Sequence, residues 1–310
     1  MPTALFNHPA VLNHDTGPYH PECPDRLRAV MQALEHPDFV PLLRERSPEA
    51  TVAQLELAHP SAYVQSILAI RPAPGKSVHI DGDTLMSHGS QEAVLRAVGG
   101  AVAAVDAVME GWASNAFSAA RPPGHHAERA RAMGFCFFNT AAIAALHARA
   151  RWGVQRVAVV DFDVHHGNGT QDIFQSDPGL FYASSHQHPC YPGTGFVSER
   201  GVADNVVNQP LPPGATGAAF RRAWEAIGLP ALDRFAPELL IVSAGFDAHR
   251  ADPLANLRLD TEDFGWITDR LMEAANKHCG GKLVSVLEGG YDLGALAASA
   301  ALHVRRLMRQ

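Results

Sequence analysis

The pattern of apolar positions along the chain predicts strands and helices that alternate. Short apolar, β-branched runs typical of strands buried in a parallel sheet lie at 4–6, 115–119, 156–160, 180–184, 239–245 and 283–287. Longer Ala- and Leu-rich stretches with helical spacing lie at 26–34, 91–109, 140–152, 218–235, 261–277 and 293–308. This alternation predicts an α/β fold with a central, mostly parallel sheet and helices on both of its faces.

The chain shows no internal repeat, low-complexity segment or linker, so we expect one domain over residues 1–310. An apolar content of 46% supports a large core. The sequence contains no run of about 18 apolar residues, so we expect no membrane span. The N-terminal stretch lacks the basic start and apolar middle of a signal peptide.

Charge and cysteine usage narrow the function classes. The net charge is −7 and no basic block is present, which argues against direct nucleic-acid binding. The four cysteines are scattered and form no CxxC pair. This suits a reducing cytosol, and we therefore expect a cytoplasmic protein without a cysteine-rich zinc site. Many of the 17 histidines cluster with Asp and Gly, which is unusual for solvated surface residues.

Polar clusters follow the predicted strands where each strand ends. They read RPPGHH, DFDVHHGNG, SSHQH, GFDAHRADP and EGGYD. In open parallel sheets, ligands bind outside the carboxyl ends of the strands. We therefore expect these five segments to converge on one crevice.

The DFDVHHGNG segment carries the best candidate metal ligands. Asp163 and His165 are two residues apart, so in an extended segment they point to the same face. Zinc that activates water takes three protein ligands and keeps one position open. The GFDAHRADP segment offers three candidates for the third ligand, Asp247, His249 and Asp252. We favour Asp252; zinc fits this ligand set, as do iron(II), manganese and cobalt.

Two further segments offer groups for catalysis. Adjacent His125 and His126 follow a stiff Pro-Pro-Gly sequence and are candidates for a general base and its electrostatic partner. A histidine pair by itself is more often an incidental surface feature. Tyr291 follows two glycines, so its hydroxyl is a candidate hydrogen-bond donor to an oxyanion. A turn tyrosine packed on the surface is the alternative.

The walls of a substrate channel are less well defined by the sequence. Phe135 follows Gly134 in GFCFFN and is either a core aromatic residue or one wall of a substrate slot. Tyr191, in the CYPGTG segment, is the candidate for the opposite wall.

The segments RPPGHH, GFCFFN, DFDVHHGNGTQ, YPGTG, GFDAHRADP and LEGGY, in this order, resemble the histone deacetylase superfamily. That superfamily includes bacterial histone-deacetylase-like amidohydrolases and acetylpolyamine amidohydrolases. The resemblance runs from His20 to the EGGYD segment, and HHGNG and LEGGY resemble the class II branch. It implies an arginase-like or deacetylase-like α/β sandwich.

The resemblance also implies roles for individual residues. Zinc would be held by Asp163, His165 and Asp252. His126 would activate water and then protonate the leaving amine, while His125, backed by Asp161, would stabilise charge. Tyr291 would bind the acyl oxygen, and Phe135 and Tyr191 would flank the channel.

Potassium is a further cofactor that the resemblance implies. An inner site beneath the zinc would use Asp161, Asp163, His165, Ser184 and the backbone oxygen of Ser185. An outer monovalent site would map onto Phe174, Asp177, Leu180 and Asn205.

Two positions depart from patterns within the family. Asn168 stands where class I members have an Asp behind the second histidine, so we expect His126 to lack a charged partner, and an amide raises the histidine pKa less than a carboxylate does. Leu259 stands where polyamine-selective relatives carry a gating Glu at the channel. Leu offers no charge to a polyamine, which weakens the polyamine interpretation.

Our leading hypothesis is a zinc-dependent amidohydrolase that removes acetyl or related acyl groups from lysine-like or other primary-amine conjugates. Acetyl-lysine, acetylated polyamines and small acylated metabolites all fit this chemistry, so an acetylpolyamine amidohydrolase is the first alternative. An arginase-type ureohydrolase with two manganese ions is less favoured, because D-x-D-x-H-H supplies too few bridging acids. A non-catalytic sensor of acetylated ligands ranks last, because Tyr291 and the metal ligands are all present.

Overall fold

A computed structural model describes residues 2–309 of the chain. Its strands are β1 (Thr3–Asn7), β2 (Leu43–Arg46), β3 (Ser77–His79), β4 (Leu85–Ser87), β5 (Asn115–Ser118), β6 (Val157–Asp161), β7 (Leu180–Gln187), β8 (Val206–Leu211), β9 (Leu239–Ala244) and β10 (Leu283–Leu287).

The helices alternate with the strands along most of the chain. They are α1 (Pro24–Ala33), α2 (Val52–Leu55), α3 (Ser61–Leu68), α4 (Ser90–Glu110), α5 (Thr140–Trp152), α6 (Asn168–Phe174), α7 (Gly217–Ala223), α8 (Leu229–Phe235), α9 (Thr261–Cys279) and α10 (Leu293–Leu307). One π-helical turn, Trp224–Gly228, joins α7 to α8, which explains why the sequence predicts a single helix there. Among residues 2–309, no helix is both long and apolar enough to cross a membrane.

Eight strands form one sheet in the order β2-β1-β5-β10-β9-β6-β7-β8. Every neighbouring pair in this sheet is parallel, so all eight carboxyl ends point to the same edge. The remaining pair, β3 and β4, forms a small antiparallel hairpin. This confirms the expected α/β architecture.

The two edge strands of the large sheet were not predicted from the sequence. Strand β2 reads LRER and is mostly exposed, and β8 reads VVNQPL with two amides and a proline. Both lack the continuous apolar run of an interior strand. Polar residues and proline are tolerated at sheet edges because one side of the strand makes no ladder hydrogen bonds.

The central strand β6 shows why helices cover both faces of the sheet. Its side chains alternate: Val157 and Val159 pack in one buried cluster, while Ala158 and Val160 pack in another. The first cluster contains the apolar faces of α4 and α5, and the second contains those of α1, α9 and α10. Because β6 is buried on both faces, its polar side chains lie at the end of the strand, where Asp161 is followed by Asp163 and His165.

Candidate metal centre and active site

The carboxyl end of β6 places three potential metal ligands together. Ligand atoms of Asp163, His165 and Asp247 all lie within 4.8 Å of one another, and all three residues are buried. Nδ1 of His165 is 3.1 Å from Oδ1 of Asp163 and 3.1 Å from Oδ2 of Asp247. Ligands of a tetrahedral zinc ion are separated by roughly 3.4 Å. Two carboxylates and an imidazole at this spacing suit one divalent ion.

Glycines at the neighbouring strand ends make room for these carboxylates. A Cβ atom on Gly245, after β9, would lie 2.0 Å from Oδ2 of Asp163. A Cβ on Gly289, after β10, would lie 2.2 Å from Oδ2 of Asp247, and the Gly289 N–H donates to Asp163 at 2.8 Å. The glycines of GFD and EGG therefore serve the site by close approach of backbone to carboxylate.

The group contains Asp247, whereas Asp252, the third ligand that the sequence favours, lies outside it. Asp252 Oδ2 accepts a hydrogen bond from the Tyr291 N–H at 2.7 Å. Burial raises the pKa of Asp247 to about 7, with Asp163 and Asp252 adding negative charge. Burial also raises the pKa of Asp252. Three carboxylates are thus close enough to oppose one another's ionisation, a situation that a cation relieves.

The third candidate from the GFDAHRADP segment takes no part in this group. His249 is stacked on Phe264 with ring centroids 6.5 Å apart, and its Nε2 lies 3.4 Å from the Thr261 hydroxyl. Its ring therefore packs against α9.

The adjacent histidines have different partners and different charges. Nδ1 of His125 lies 2.9 Å from Oδ2 of Asp161, whereas Nδ1 of His126 lies 2.8 Å from Oδ1 of Asn168. Burial favours the neutral form of His125, but the Asp161 carboxylate outweighs it and raises the pKa to about 10. Burial and then the positive charge of His125 hold the pKa of His126 well below its usual value. The pair thus combines a cationic and a neutral imidazole.

Glu288 is a site residue that our sequence analysis missed. Its Oε2 accepts the N–H groups of Gly124 and His125 at 2.7 and 3.2 Å, and its Oε1 accepts the Ser243 hydroxyl at 3.1 Å. Burial raises the pKa of this carboxyl to about 7. Its position at the end of β10, directly before Gly-Gly-Tyr, could have indicated it.

Three aromatic residues surround the metal group on its open side. The Phe135 ring lies 6.0 Å from the Tyr291 ring, and the Tyr191 ring lies 5.1 Å from His126 and 6.2 Å from His165. Phe135 and Tyr291 are half-buried, and Tyr191 is 39% exposed. This arrangement supports the slot-wall interpretation of Phe135 and Tyr191 over core packing.

The backbone at Phe135 is strained, and strained residues are often found at functional sites. Its φ is +69°, a left-handed conformation that non-glycine residues rarely adopt. Its N–H donates to the Thr84 hydroxyl at 3.0 Å. The preceding Gly134 has φ +57°, and a Cβ there would lie 2.4 Å from Cδ2 of His126.

A buried arginine that the sequence analysis did not single out holds the Tyr291 turn. Arg26, on α1, donates to the carbonyl oxygens of Gly290 at 2.6 Å and Glu288 at 2.5 Å. Its guanidinium lies 4.8 Å from the centroid of the Tyr291 ring. Glu22, 3.1 Å from Arg26, compensates the charge. The tyrosine is therefore fixed by a charged group from the other end of the chain.

Leu259 does not line the channel. It has no exposed surface, belongs to the hydrophobic core, and donates its N–H to Ala248 O at 3.1 Å. The expectation that Leu259 faces the substrate is therefore wrong. The argument that its missing charge disfavours a polyamine substrate no longer applies.

The residues expected to hold an inner potassium ion lie on the neighbouring strands β6 and β7 and in the segment that follows β6. Asp161 and Ser184 are register partners on β6 and β7, and both are fully buried. The Ser184 hydroxyl lies 2.9 Å from Nδ1 of His186, and the Ser185 hydroxyl accepts a hydrogen bond from the Trp224 indole at 3.0 Å. The Asp161 carboxylate itself accepts a hydrogen bond from the Tyr182 hydroxyl at 3.0 Å.

The residues of the expected outer potassium site are linked by a side-chain amide in this structure. The carbonyl oxygens of Phe174, Asp177 and Leu180 converge, but all three accept from Nδ2 of Asn205, at 2.9, 2.9 and 2.8 Å. The amide nitrogen occupies the space between the carbonyls. The outer monovalent site stays a prediction, and Asn205 Nδ2 is an alternative partner for the same three oxygens.

Comparison with known proteins identifies the family to which this geometry belongs. The family model described as Histone deacetylase domain matches residues 20–307. The chain therefore belongs to the histone deacetylase family, as its motifs predict.

Individual relatives and one solved structure agree. The chain is 43% identical over 301 residues to the uncharacterized protein slr0245 of Synechocystis, covering 96% of both proteins. It is 43% identical over 279 residues to the Histone deacetylase-like amidohydrolase of Pseudomonas aeruginosa, covering 88% of this chain and 73% of that protein. The crystal structure of the HDA15 HD domain superimposes with a TM-score of 0.90 at 34% identity, covering 98% of this chain and 88% of that one. Family membership supports a hydrolase with deacetylase or amidohydrolase activity.

Proposed function

We propose that this chain is a zinc-dependent amidohydrolase that removes acetyl or related acyl groups from lysine-like or other primary-amine conjugates. One observation carries the proposal: the buried group of metal-ligand atoms lies next to a neutral imidazole. The rings of His126 and His165 are 5.8 Å apart. A base that is unprotonated at neutral pH beside a divalent cation is what hydrolysis of an amide by water requires.

The chemistry of the donor set supports a bound divalent ion. We propose Asp163 and His165 as two ligands and Asp252 as the third. Asp252 is 7% exposed and Asp247 only 1%, so Asp252 is closer to the open side, where a catalytic ion must keep a free position. When bound, zinc supplies Lewis-acid polarisation of the acyl carbonyl and makes water more acidic. Iron(II) or another divalent ion would suit the same ligands.

The protein's own residues perform the proton transfers. His126 takes a proton from water and returns it to the leaving amine; its low pKa leaves it unprotonated at neutral pH, as a base must be. Cationic His125 stabilises the negative charge that develops next to it. The Tyr291 hydroxyl donates a hydrogen bond to the acyl oxygen, and Phe135 and Tyr191 keep bulk water out.

A structural potassium ion near Asp161, Ser184 and Ser185 is part of the proposal. All three residues are buried; Asp161 ends β6, and Ser184 is its register partner within β7. Their carbonyl and hydroxyl oxygens suit a monovalent cation, which would offset the Asp161 and Asp163 carboxylates.

Charge at the mouth of the channel favours a cationic substrate. Thr84 links Asp83 to the Phe135 wall, because its hydroxyl donates to Asp83 at 3.1 Å and accepts from the Phe135 N–H at 3.0 Å. Asp81 lies on the same turn and accepts from the Thr84 N–H at 2.7 Å. Acetyl-lysine next to basic residues and acetylpolyamines both match this polarity, so acetylpolyamine hydrolysis is the second candidate.

A ureohydrolase is less well supported. Within residues 2–309 there is one group of three or more His, Cys, Asp or Glu side chains placed to share a metal. Two-metal hydrolysis needs carboxylates that bridge two ions about 3.5–4 Å apart.

Metal removal tests the proposal. Protein stripped with a chelator and checked by elemental analysis should lose turnover of a fluorogenic acetyl-lysine amide. One equivalent of zinc should restore that turnover. Undiminished turnover by verified metal-free protein would refute the mechanism. A panel of acetyl-lysine peptides, acetylpolyamines and longer acyl chains then ranks the substrates.

A further inference from the structure

The side-chain amide of Asn168 has a different partner at each end. Its Oδ1 lies 2.8 Å from Nδ1 of His126, and its Nδ2 donates to Oε1 of Glu128 at 2.7 Å. Nδ2 also lies 3.3 Å from the Met133 sulfur and 3.5 Å from the His126 carbonyl oxygen. Asn168 is 6% exposed, so water hardly competes for these positions.

These partners determine which way the amide points. A carboxylate, a carbonyl oxygen and a thioether sulfur only accept hydrogen bonds, so they require the NH₂ end of the amide. A rotation that exchanged oxygen and nitrogen would turn Oδ1 toward three acceptors and leave it without a donor. The contact with Glu128 is the shortest of the three and the only one to a carboxylate, which makes it the strongest restraint.

The direction of the amide in turn determines where His126 carries its proton. Asn168 Oδ1 can only accept, so Nδ1 of His126 must be the donor. A neutral imidazole with its hydrogen on Nδ1 has an unprotonated Nε2. That second nitrogen is then able to accept a proton.

We propose that Glu128 is a positioning residue that acts through Asn168 to hold His126 in the Nδ1–H tautomer. The catalytic consequence rests on the proposed function, whereas the tautomer follows from the contacts alone. His125 has its carboxylate partner, Asp161, in direct contact at 2.9 Å. His126 receives its carboxylate through an intervening amide, which sets the direction of the hydrogen bond without placing a full negative charge against the ring.

The backbone of Glu128 is fixed by two hydrogen bonds to Arg131. Its N–H donates to the Arg131 carbonyl at 3.0 Å, and the Arg131 N–H returns a bond at 3.5 Å. This closed turn begins two residues after His126. The side chain is half-buried and faces Asn168 across the start of α6.

The test is a comparison of two substitutions at position 128. Glu128→Ala removes the acceptor, whereas Glu128→Gln keeps an oxygen that can still accept from Asn168. Proton–nitrogen correlation spectra of histidine-labelled protein report which ring nitrogen of His126 carries hydrogen. We expect Glu128→Ala to populate the Nε2–H form and to lower kcat about tenfold to a hundredfold with little change in KM. Glu128→Gln should retain the wild-type tautomer and most of kcat.

The outcomes separate this inference from the proposed function. An unchanged Nδ1–H tautomer in Glu128→Ala overturns the inference even if hydrolysis falls. A tautomer shift in protein that hydrolyses no acyl amine supports the inference and refutes the function. If Glu128→Ala does not fold, Glu128→Asp replaces it, because the shorter side chain withdraws the oxygen while keeping the charge. The same tautomer shift is expected there, and its absence overturns the inference.

Discussion

Gly134 lies so close to His126 that a Cβ atom at position 134 would come within 2.4 Å of Cδ2 of the ring. Contacts this short do not occur, so Gly134→Ala must displace the imidazole. We expect a loss of turnover of at least tenfold, because a base that is misplaced by about 1 Å loses its alignment with the reacting water. Steady-state kinetics with an acetyl-lysine amide measures this.

Gly153→Ala is the matched control for that substitution. Gly153 also has a left-handed conformation, with φ +69°, but a Cβ there meets no atom within 4 Å. Both variants should lose about 1 kcal/mol of stability from backbone strain. Only Gly134→Ala should lose activity per folded molecule; an equal loss in both variants would show that strain, not the His126 contact, is responsible.

Removal of one carboxylate at a time identifies the third metal ligand. We expect Asp252→Asn to lose bound zinc, and Asp247→Asn to retain more of it, because Asp252 is closer to the open side of the site. Elemental analysis after dialysis against zinc-buffered solution gives the stoichiometry. Zinc retained in Asp252→Asn and lost in Asp247→Asn would transfer the assignment to Asp247, whose Oδ2 already lies 3.1 Å from Nδ1 of His165.

Tyr291→Phe separates the phenol from the metal. The substitution removes one hydroxyl, while the Tyr291 N–H, which donates to Asp252 at 2.7 Å, remains. We expect one zinc per chain as in the wild type and a decrease in kcat of about 10²–10³-fold, the usual cost of losing one oxyanion donor. Unchanged kcat would mean that another group binds the acyl oxygen.

Because Nδ2 of Asn205 lies among the three outer carbonyl oxygens, we expect this carbonyl cluster to bind no potassium. Crystals grown with rubidium should show no anomalous peak between the carbonyls of Phe174, Asp177 and Leu180. Asn205→Ala leaves these buried oxygens without a donor, which should cost about 1–3 kcal/mol. Potassium chloride should recover part of that loss where choline chloride does not.

Asn208→Ala is the control for that substitution. It also removes a buried amide, here one on β8 that donates to Gln171 at 2.8 Å, but it leaves the carbonyl cluster before β8 intact. Its stability should respond equally to both salts. A rubidium peak in the wild-type cluster would contradict the role of Asn205.

His303 predicts a loss of stability in acid that is independent of the catalytic site. Burial lowers its pKa from 6.5 to about 3. His303 therefore takes up a proton below about pH 6.5 in the unfolded chain but only below about pH 3 in the folded chain. The free energy of unfolding consequently decreases as the pH falls through this window. Each unit of separation corresponds to about 1.4 kcal/mol.

Urea unfolding of His303→Phe at pH 7 and pH 5 measures this contribution. The variant loses hydrogen bonds to Thr268 and Ser285, at 2.7 and 2.8 Å, and should be less stable at pH 7. Its stability should nevertheless decrease less between the two pH values than that of the wild type. An identical decrease in both proteins would remove His303 from the list of acid-sensitive groups.

The sequence by itself determined the architecture and most of the candidate site. Interior strands are recognisable from their continuous apolar runs. Because parallel strands bring their carboxyl ends to one edge of the sheet, the segments that follow them, DFDVHHGNG, RPPGHH and EGGYD, meet at that edge. Spacing by two residues placed Asp163 and His165 on one face because a strand repeats every two residues. These are local properties, readable without knowledge of distant contacts.

Only the tertiary structure decided which distant groups meet. Asp247 and Asp252 are five residues apart in one loop, and their positions depend on how that loop packs against β6 and β10. The Asn205 amide contacts a cluster of carbonyl oxygens, and Leu259 packs in the core. Both placements depend on residues that are distant in sequence, which no local pattern specifies. Glu128 and Asn168 are 40 residues apart, yet their bond at 2.7 Å orients the amide on which the His126 tautomer depends. Hydrogen-bond direction is set by the whole surroundings of a group, and those surroundings exist only after the chain has folded.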